Sequence, residues 1–280
     1  MLDQQPRDLG RNHDLHMRSI ERVIRTISNR LHVAMTNEEM ADIACFSPCH
    51  FNRLFHKLIG IPPIQFHYAL RMARAKELLI DTDLRITEIC FDVGYNSLGT
   101  FISRFNELVG ISPSAFRRLA RRIADLSLAD IPLARGEQSE TLLARGAISG
   151  TVAPCDEPCV VFVGLFRHAI PEGRLSTCAR IRGRLQYTLP VPGDGIWHVL
   201  SVAVPLRAKG TRLLTLNDFA RGRSAPIMVR NERWYGDGAI MLSPPSLLDP
   251  PILAILPIQI ARLQDDARNC DMREWAAAIS

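Results

Sequence analysis

What this 280-residue chain lacks narrows its class before any motif is read. It has no long apolar run: the most hydrophobic late stretch, residues 252–260, is short and broken by Pro257, too little for a membrane span. The first twenty residues mix Asp, Arg and His with few apolar side chains, unlike a secretory signal. Seven cysteines, an odd number without framework spacing, fit reduced thiols and a cytoplasmic location. Neither sign of charge dominates. Residues 1–125 carry 17 Lys/Arg against 14 Asp/Glu and the remainder 17 against 15, an even spread of the net +5 that neither requires nor excludes nucleic acid. No Ser/His/Asp arrangement, phosphate loop or carboxylate pair stands out, so no catalytic residue and no cofactor is assigned. Cys155, Cys159, Cys178 and His168 do not have zinc-ligand spacing, so no metal is assigned either.

What is present is an internal duplication. Residues 36–62 and 86–112 each read as helix, tight turn and second helix. At an offset of fifty, Ser47, Phe51, Phe55, Leu58, Gly60, Ile61 and Pro63 match Ser97, Phe101, Phe105, Leu108, Gly110, Ile111 and Pro113. The shared apolar positions fall at i, i+4 and i+7, one helical face, with Gly as the C-cap. Residues between them are polar or small and face outward, and two such helices suit the major groove of DNA. Thr36 and Glu39 form a capping box for the first short helix; Ser47 and Pro48 open the next. Ahead of these, residues 1–15 read as a polar tail and residues 16–31 as a helix with Ile20, Val23, Ile24 and Ile27 on one face. Residues 64–80 form a linker helix with Phe66, Ala69, Leu70 and Ala73 inward.

Beyond a linker at 125–143 the periodicity changes to two. Residues 180–189 alternate without a break, and 146–152, 159–166, 196–204, 211–216, 225–230 and 238–242 are further strand candidates. Residues 259–278 read as a closing helix. The fold class is therefore multidomain α plus β: an all-α double helix-turn-helix domain (16–124), then a small antiparallel β-sandwich-like domain (144–280), each with its own core. Arg180, Arg182 and Arg184 share a strand face, solvated or open to an anion.

Residues 16–120 resemble the AraC/XylS family of bacterial transcription regulators. The likeness rests on Arg71-Met72-Ala73-Arg74-Ala75-Lys76-Glu77-Leu78-Leu79, Ile86-Thr87-Glu88-Ile89, Val93-Gly94-Tyr95 and Gly110-Ile111-Ser112-Pro113-Ser114-Ala115-Phe116-Arg117, besides the repeat. In most of this family the module is C-terminal; here it precedes its partner domain. The resemblance implies that both second helices enter successive major grooves, one helical turn or roughly 34 Å apart. It implies base-facing roles for Cys49, Asn52 and Arg53, with His50, His56 and Lys57 toward the phosphates. The second helix would use Leu98, Gly99, Thr100 and Ser103, with Arg104 alongside. Arg suits guanine and Asn adenine. Where the family often has a second Arg the chain has Ser103, so the first helix should carry most of the base readout. Cys45 stands where the first unit normally has its turn Gly.

Double-stranded DNA is thus the expected partner, with RNA polymerase and a small-molecule effector as further ones, in a monomer or homodimer. The β-rich half is expected to sense a small molecule; the alternative is a dimerisation or protein-interaction module. A third reading comes from Pro48-Cys49-His50, which echoes DNA-repair alkyltransferases, but an exposed helix offers no pocket for a flipped base.

Overall fold

The computed structural model describes residues 5–130, 147–154, 158–173, 177–182, 185–191 and 193–255. Helix α1 (Gln5–Asn29) starts earlier than the expected 16, so a tail through residue 15 is not what forms. Pro6 lies in its first turn, where a missing N–H breaks no helical bond. Ile20, Val23, Ile24 and Ile27 are fully buried.

The first unit is α2 (Asn37–Ala44) and α3 (Pro48–Ile59); the second is α5 (Ile86–Asp92) and α6 (Leu98–Val109). The capping box forms as expected, with the Glu39 N–H donating to Thr36 Oγ1 at 3.2 Å and the Thr36 N–H to Glu39 Oε2 at 2.7 Å. Ser47 and Ser97 cap α3 and α6 in the same way, each accepting at 3.4 Å. The duplication reaches the aromatic core. Phe51, Phe55 and Phe66 step edge-on at 5.6 Å centroid spacing, and Phe101, Phe105 and Phe116, fifty residues on, repeat the ladder at 5.8 and 5.7 Å.

Helix α4 (Pro63–Asp81) joins the units, and α7 (Pro113–Ile123) packs on it. The expected inward face of α4 is incomplete, because His67, Arg71 and Lys76 are buried too. Arg71 explains one side: its guanidinium donates to Leu31 O (2.7 Å), Val33 O (2.9 Å) and Gly94 O (3.1 Å), tying the loop after α1 to the turn of the second unit. The other side is covered by the β-rich half.

That half is antiparallel throughout its named strands. β1 (Ala147–Thr151) pairs with β4 (Gln186–Pro190). A larger sheet has the order β3 (Cys178–Ile181), β2 (Cys159–Phe166), β5 (Gly195–Pro205), β7 (Ile227–Arg230), β8 (Arg233–Tyr235), and β6 (Arg221–Arg223) also pairs with β5. The single strand expected over 180–189 is instead two strands, β3 and β4, in different sheets; Gly183 stands between them in the sequence. Residues 211–216 hold a short helix, α8 (Arg212–Thr215), not a strand. Residues 238–242 contribute only an isolated bridge at Ile240. β6 and β8 are too short to show a period of two. The closing helix expected at 259–278, together with residues 131–143 of the linker and Arg184, lies outside the described residues. Linker residues 126–130 are held: the Leu128 N–H donates to Ala208 O at 2.9 Å and the Gly210 N–H to Leu126 O at 2.7 Å.

The central pair β2–β5 is apolar on both faces. Val161, Val163, Leu165, Trp197, Val199 and Ala203 face β1–β4 and its Tyr187. Val160, Phe162, Phe166, Leu200, Val202 and Val204 belong instead to the cluster containing the Phe ladders and α4. The expectation of one core per domain is thereby corrected: a sheet buried on both faces needs two partners, and the helical module is one of them. Cys159 is disulfide-bonded, correcting the reading of the cysteines as reduced thiols. Cys45, Cys49, Cys90 and Cys178 are free. Among the described residues no metal-ligand cluster occurs, and no helix is long and apolar enough to cross a membrane.

Lys76 sits at this junction, 1% exposed, donating to Ile252 O (2.9 Å) and Leu253 O (3.1 Å) of a buried strap, residues 251–255. Burial pushes its ammonium down to about 7 from the usual 10.5. Between those values the unfolded chain binds the extra proton, so folding stability rises with pH across that window. Replacing Lys76 with Met should flatten this rise. Urea midpoints from pH 7 to about 10, compared between wild type and K76M, check it; parallel slopes would refute the assignment.

Candidate nucleic-acid interface

The two second helices are oriented alike because they share a buried face: Phe51, Phe55 and Ile59 match Phe101, Phe105 and Val109. On α3, Phe51, Leu54, Phe55 and Ile59 are buried, leaving Cys49, His50, Asn52, Arg53, His56 and Lys57 exposed. On α6, Phe101, Phe105, Leu108 and Val109 are buried; Gly99, Thr100, Ser103 and Arg104 are exposed and Leu98 is half-buried. The expected base-facing positions therefore lie on solvent faces of both helices.

Their surroundings differ. His50 is not a bare phosphate ligand: its ring meets Phe46 at 4.9 Å and His16 at 5.9 Å, edge to face. Arg104 pairs with Glu107 at 2.9 Å, and this hydrogen bond raises its affinity for the proton. Such an exposed ion pair contributes little to stability, so Arg104 exchanges partners readily. Around α4, burial and then the Arg71 guanidinium push His67 down to about 4, so the imidazole is neutral there.

The turns diverge as the sequence suggests. Gly94 turns the second unit at φ +85°, and a Cβ there would lie 2.8 Å from His32 O and 2.9 Å from the Arg71 guanidinium, so Gly is needed for space as well as conformation. Cys45 turns the first unit at φ 61°, ψ 40°, left-handed geometry that disfavours a side chain. Arg22 of α1 supports this turn, donating Nε–H to Ile43 O at 2.9 Å with Nη2 3.6 Å from Cys45 Sγ. No local pattern in the sequence marks Arg22 for this role, since it acts across 21 residues.

A helix-turn-helix domain model matches residues 40–119, the stretch that holds both units' second helices and their junction. Over this stretch the chain is similar to DNA-binding transcription regulators of the AraC/XylS family. Among its relatives is an uncharacterised HTH-type transcriptional regulator, YbfP, of Bacillus subtilis (strain 168), 24% identical over 57% of this chain and 50% of that protein. Another from that organism is AdaA, a bifunctional transcriptional activator/DNA repair enzyme, 34% identical over 31% of this chain and 41% of its own length. The chain thus spans half or less of these two relatives. Among solved structures, the C-terminal domain of AraT, a response regulator from Geobacillus stearothermophilus, is 31% identical with a TM-score of 0.35, covering 36% of this chain and 84% of that one.

Replacing Cys45 with Gly relieves a left-handed residue worth about 1–2 kcal/mol, offset by unfolded-state entropy of about 0.5–1 kcal/mol. We expect C45G to gain about 0.5 kcal/mol in chemical unfolding; a loss would show that the Arg22 contact outweighs the strain.

Proposed function

We propose that this AraC-type regulator reads one DNA face with α3 and α6, acting in the cytoplasm, and that its β-rich half, residues 144–280, senses a small molecule. The observation that carries the DNA reading is the exposure of Asn52, Arg53, Thr100 and Ser103 on two helices that bury corresponding phenylalanines. Asn52 and Arg53 supply base discrimination, each about 1–3 kcal/mol. Cys49 completes that face. His50, His56 and Lys57 supply salt-dependent phosphate affinity. Leu98, Gly99, Thr100 and Ser103 form the groove-facing side of α6, which anchors through Thr100, Arg104 and backbone contacts. Support for sensing is that the β-rich half shares its core with the helical module, so a ligand preferring one arrangement would shift DNA affinity.

A dimerisation or protein-interaction role for the β-rich half is favoured by one feature. Ile196, Met228 and Tyr235, opposite one another across β5, β7 and β8, are 54%, 52% and 57% exposed. The alkyl-acceptor reading of Cys49 has AdaA's printed name in its favour and only an exposed first-turn thiol to work with. A stoichiometric methyl on Cys49 after exposure to alkylated DNA would establish it.

Selection of bound sequences from random DNA tests the main reading. Arg53→Ala should abolish preference at one or two base pairs, about 1–3 kcal/mol, and exceed the effect of Ser103→Ala. A uniform affinity loss would make Arg53 a phosphate contact. Because helix α4 holds the two units at a fixed angle, engaging both grooves should bend the duplex. A bend-phasing assay showing straight DNA would remove that part.

A further inference from the structure

Both proposed recognition helices end against the β-rich half, at equivalent atoms. The last carbonyls of a helix have no partner within it. On α3, the Arg223 guanidinium of β6 donates to Ile59 O at 2.6 Å and Leu58 O at 3.2 Å. A Cβ on the capping Gly60 would lie 2.9 Å from the Ala169 Cβ and 3.1 Å from Arg223 Nη1, so the β-rich half abuts the cap itself. On α6, the residue fifty positions after Leu58 is Leu108, and its carbonyl accepts from the Gly173 N–H at 2.6 Å. Next to Gly173, the Glu172 carboxylate accepts from Gln65 Nε2, in the first turn of α4, at 3.2 Å.

These attachments are connected to one another. Pro171 O accepts from the Leu253 and Ala254 N–H groups, each at 2.9 Å, and Lys76 of α4 holds the same strap. Arg221, two residues before Arg223, donates to Pro250 O at 3.3 Å, and its backbone exchanges bonds with Ser243 at 3.0 and 2.9 Å. The chain of contacts therefore runs from the end of α3 through β6 and the strap to α4, and through the 171–173 turn to the end of α6. A guanidinium at a helix C-terminus also complements the helix dipole.

We propose that the β-rich half is a brace that sets the spacing and angle of α3 and α6, with Arg223 the positioning residue for α3. The proposal rests on α3 and α6 being the DNA-reading helices and adds a determinant of which half-site spacing the protein accepts. Arg223 touches no base in this scheme; it acts through the end of α3.

The test uses the full chain and its selected site, with base pairs inserted or deleted between the two groove contacts. Wild type should bind one spacing best. Arg223→Ala should keep the base preferences due to Arg53 while its discrimination between the best spacing and its one-base-pair neighbours falls about 5-fold or more, the scale of coupling between sites. Arg223→Lys, which retains a cation and a donor, should recover part of it. Equal affinity loss at every spacing would mark Arg223 as merely structural and overturn the proposal, as would an unchanged optimum. Should Arg223→Ala fail to fold, Arg223→Gln, which retains one donor group, gives the same readout. A wild-type protein without sequence preference would overturn the DNA reading itself; a sequence-specific wild type whose Arg223 variants keep the spacing optimum would overturn only the brace.

Discussion

A β-sheet with apolar side chains on both faces must be covered twice, and here that requirement joins the two halves of the chain. β2 and β5 pair through residues 159–166 and 198–205, and their alternating side chains divide between two clusters. One face is closed by β1 and β4. The other lies on α4 and the aromatic ladders, with the strap and Lys76 sealing the edge. Fully burying one such side chain is worth about 1.5–3 kcal/mol, so Phe162, Phe166, Val202 and their neighbours outweigh a few surface ion pairs. The two parts of the chain are thus held by core packing, not by a tether.

Within the helical module, a duplicated scaffold carries two unequal surfaces. The phenylalanine ladders, serine caps and glycine C-caps recur at corresponding positions. The exposed positions do not: Asn52 and Arg53 correspond to Ile102 and Ser103, and Cys45 takes the left-handed turn position that Gly94 holds in the second unit. Scaffold residues are fixed by volume and by capping geometry, which both units share. Surface residues are free of that constraint and diverge with what each helix must touch.

Electrostatics at the junction follow from desolvation. Burial lowers Lys76 and His67, and raises the Glu172 carboxyl against the pull of His168, the Gln65 hydrogen bond and Arg104. Each is a polar group enclosed by packing that the apolar residues around it dictate. Arg71 is the exception in kind, because its three carbonyl partners tie the loop after α1 to the turn of the second unit.

The sequence by itself determined the double helix-turn-helix: the offset of fifty, the caps at Thr36 and Ser47 with its match Ser97, the unusual Cys45 turn and the outward positions of α3 and α6 were all legible. These are local matters, set by helical period and by atoms a few residues apart. Most strands were legible too, but residues 180–189 read as one strand and 211–216 as another, because alternation does not say where a chain changes sheet. Only the tertiary structure decided that Lys76 is buried, that Arg223 ends α3 and that Gly173 ends α6. Those contacts join residues separated by 65 to 177 positions, including a hydrogen bond from Arg223 across 164. No period or cap in the sequence reports them; they follow from which face of a two-sided sheet met which side of a helix.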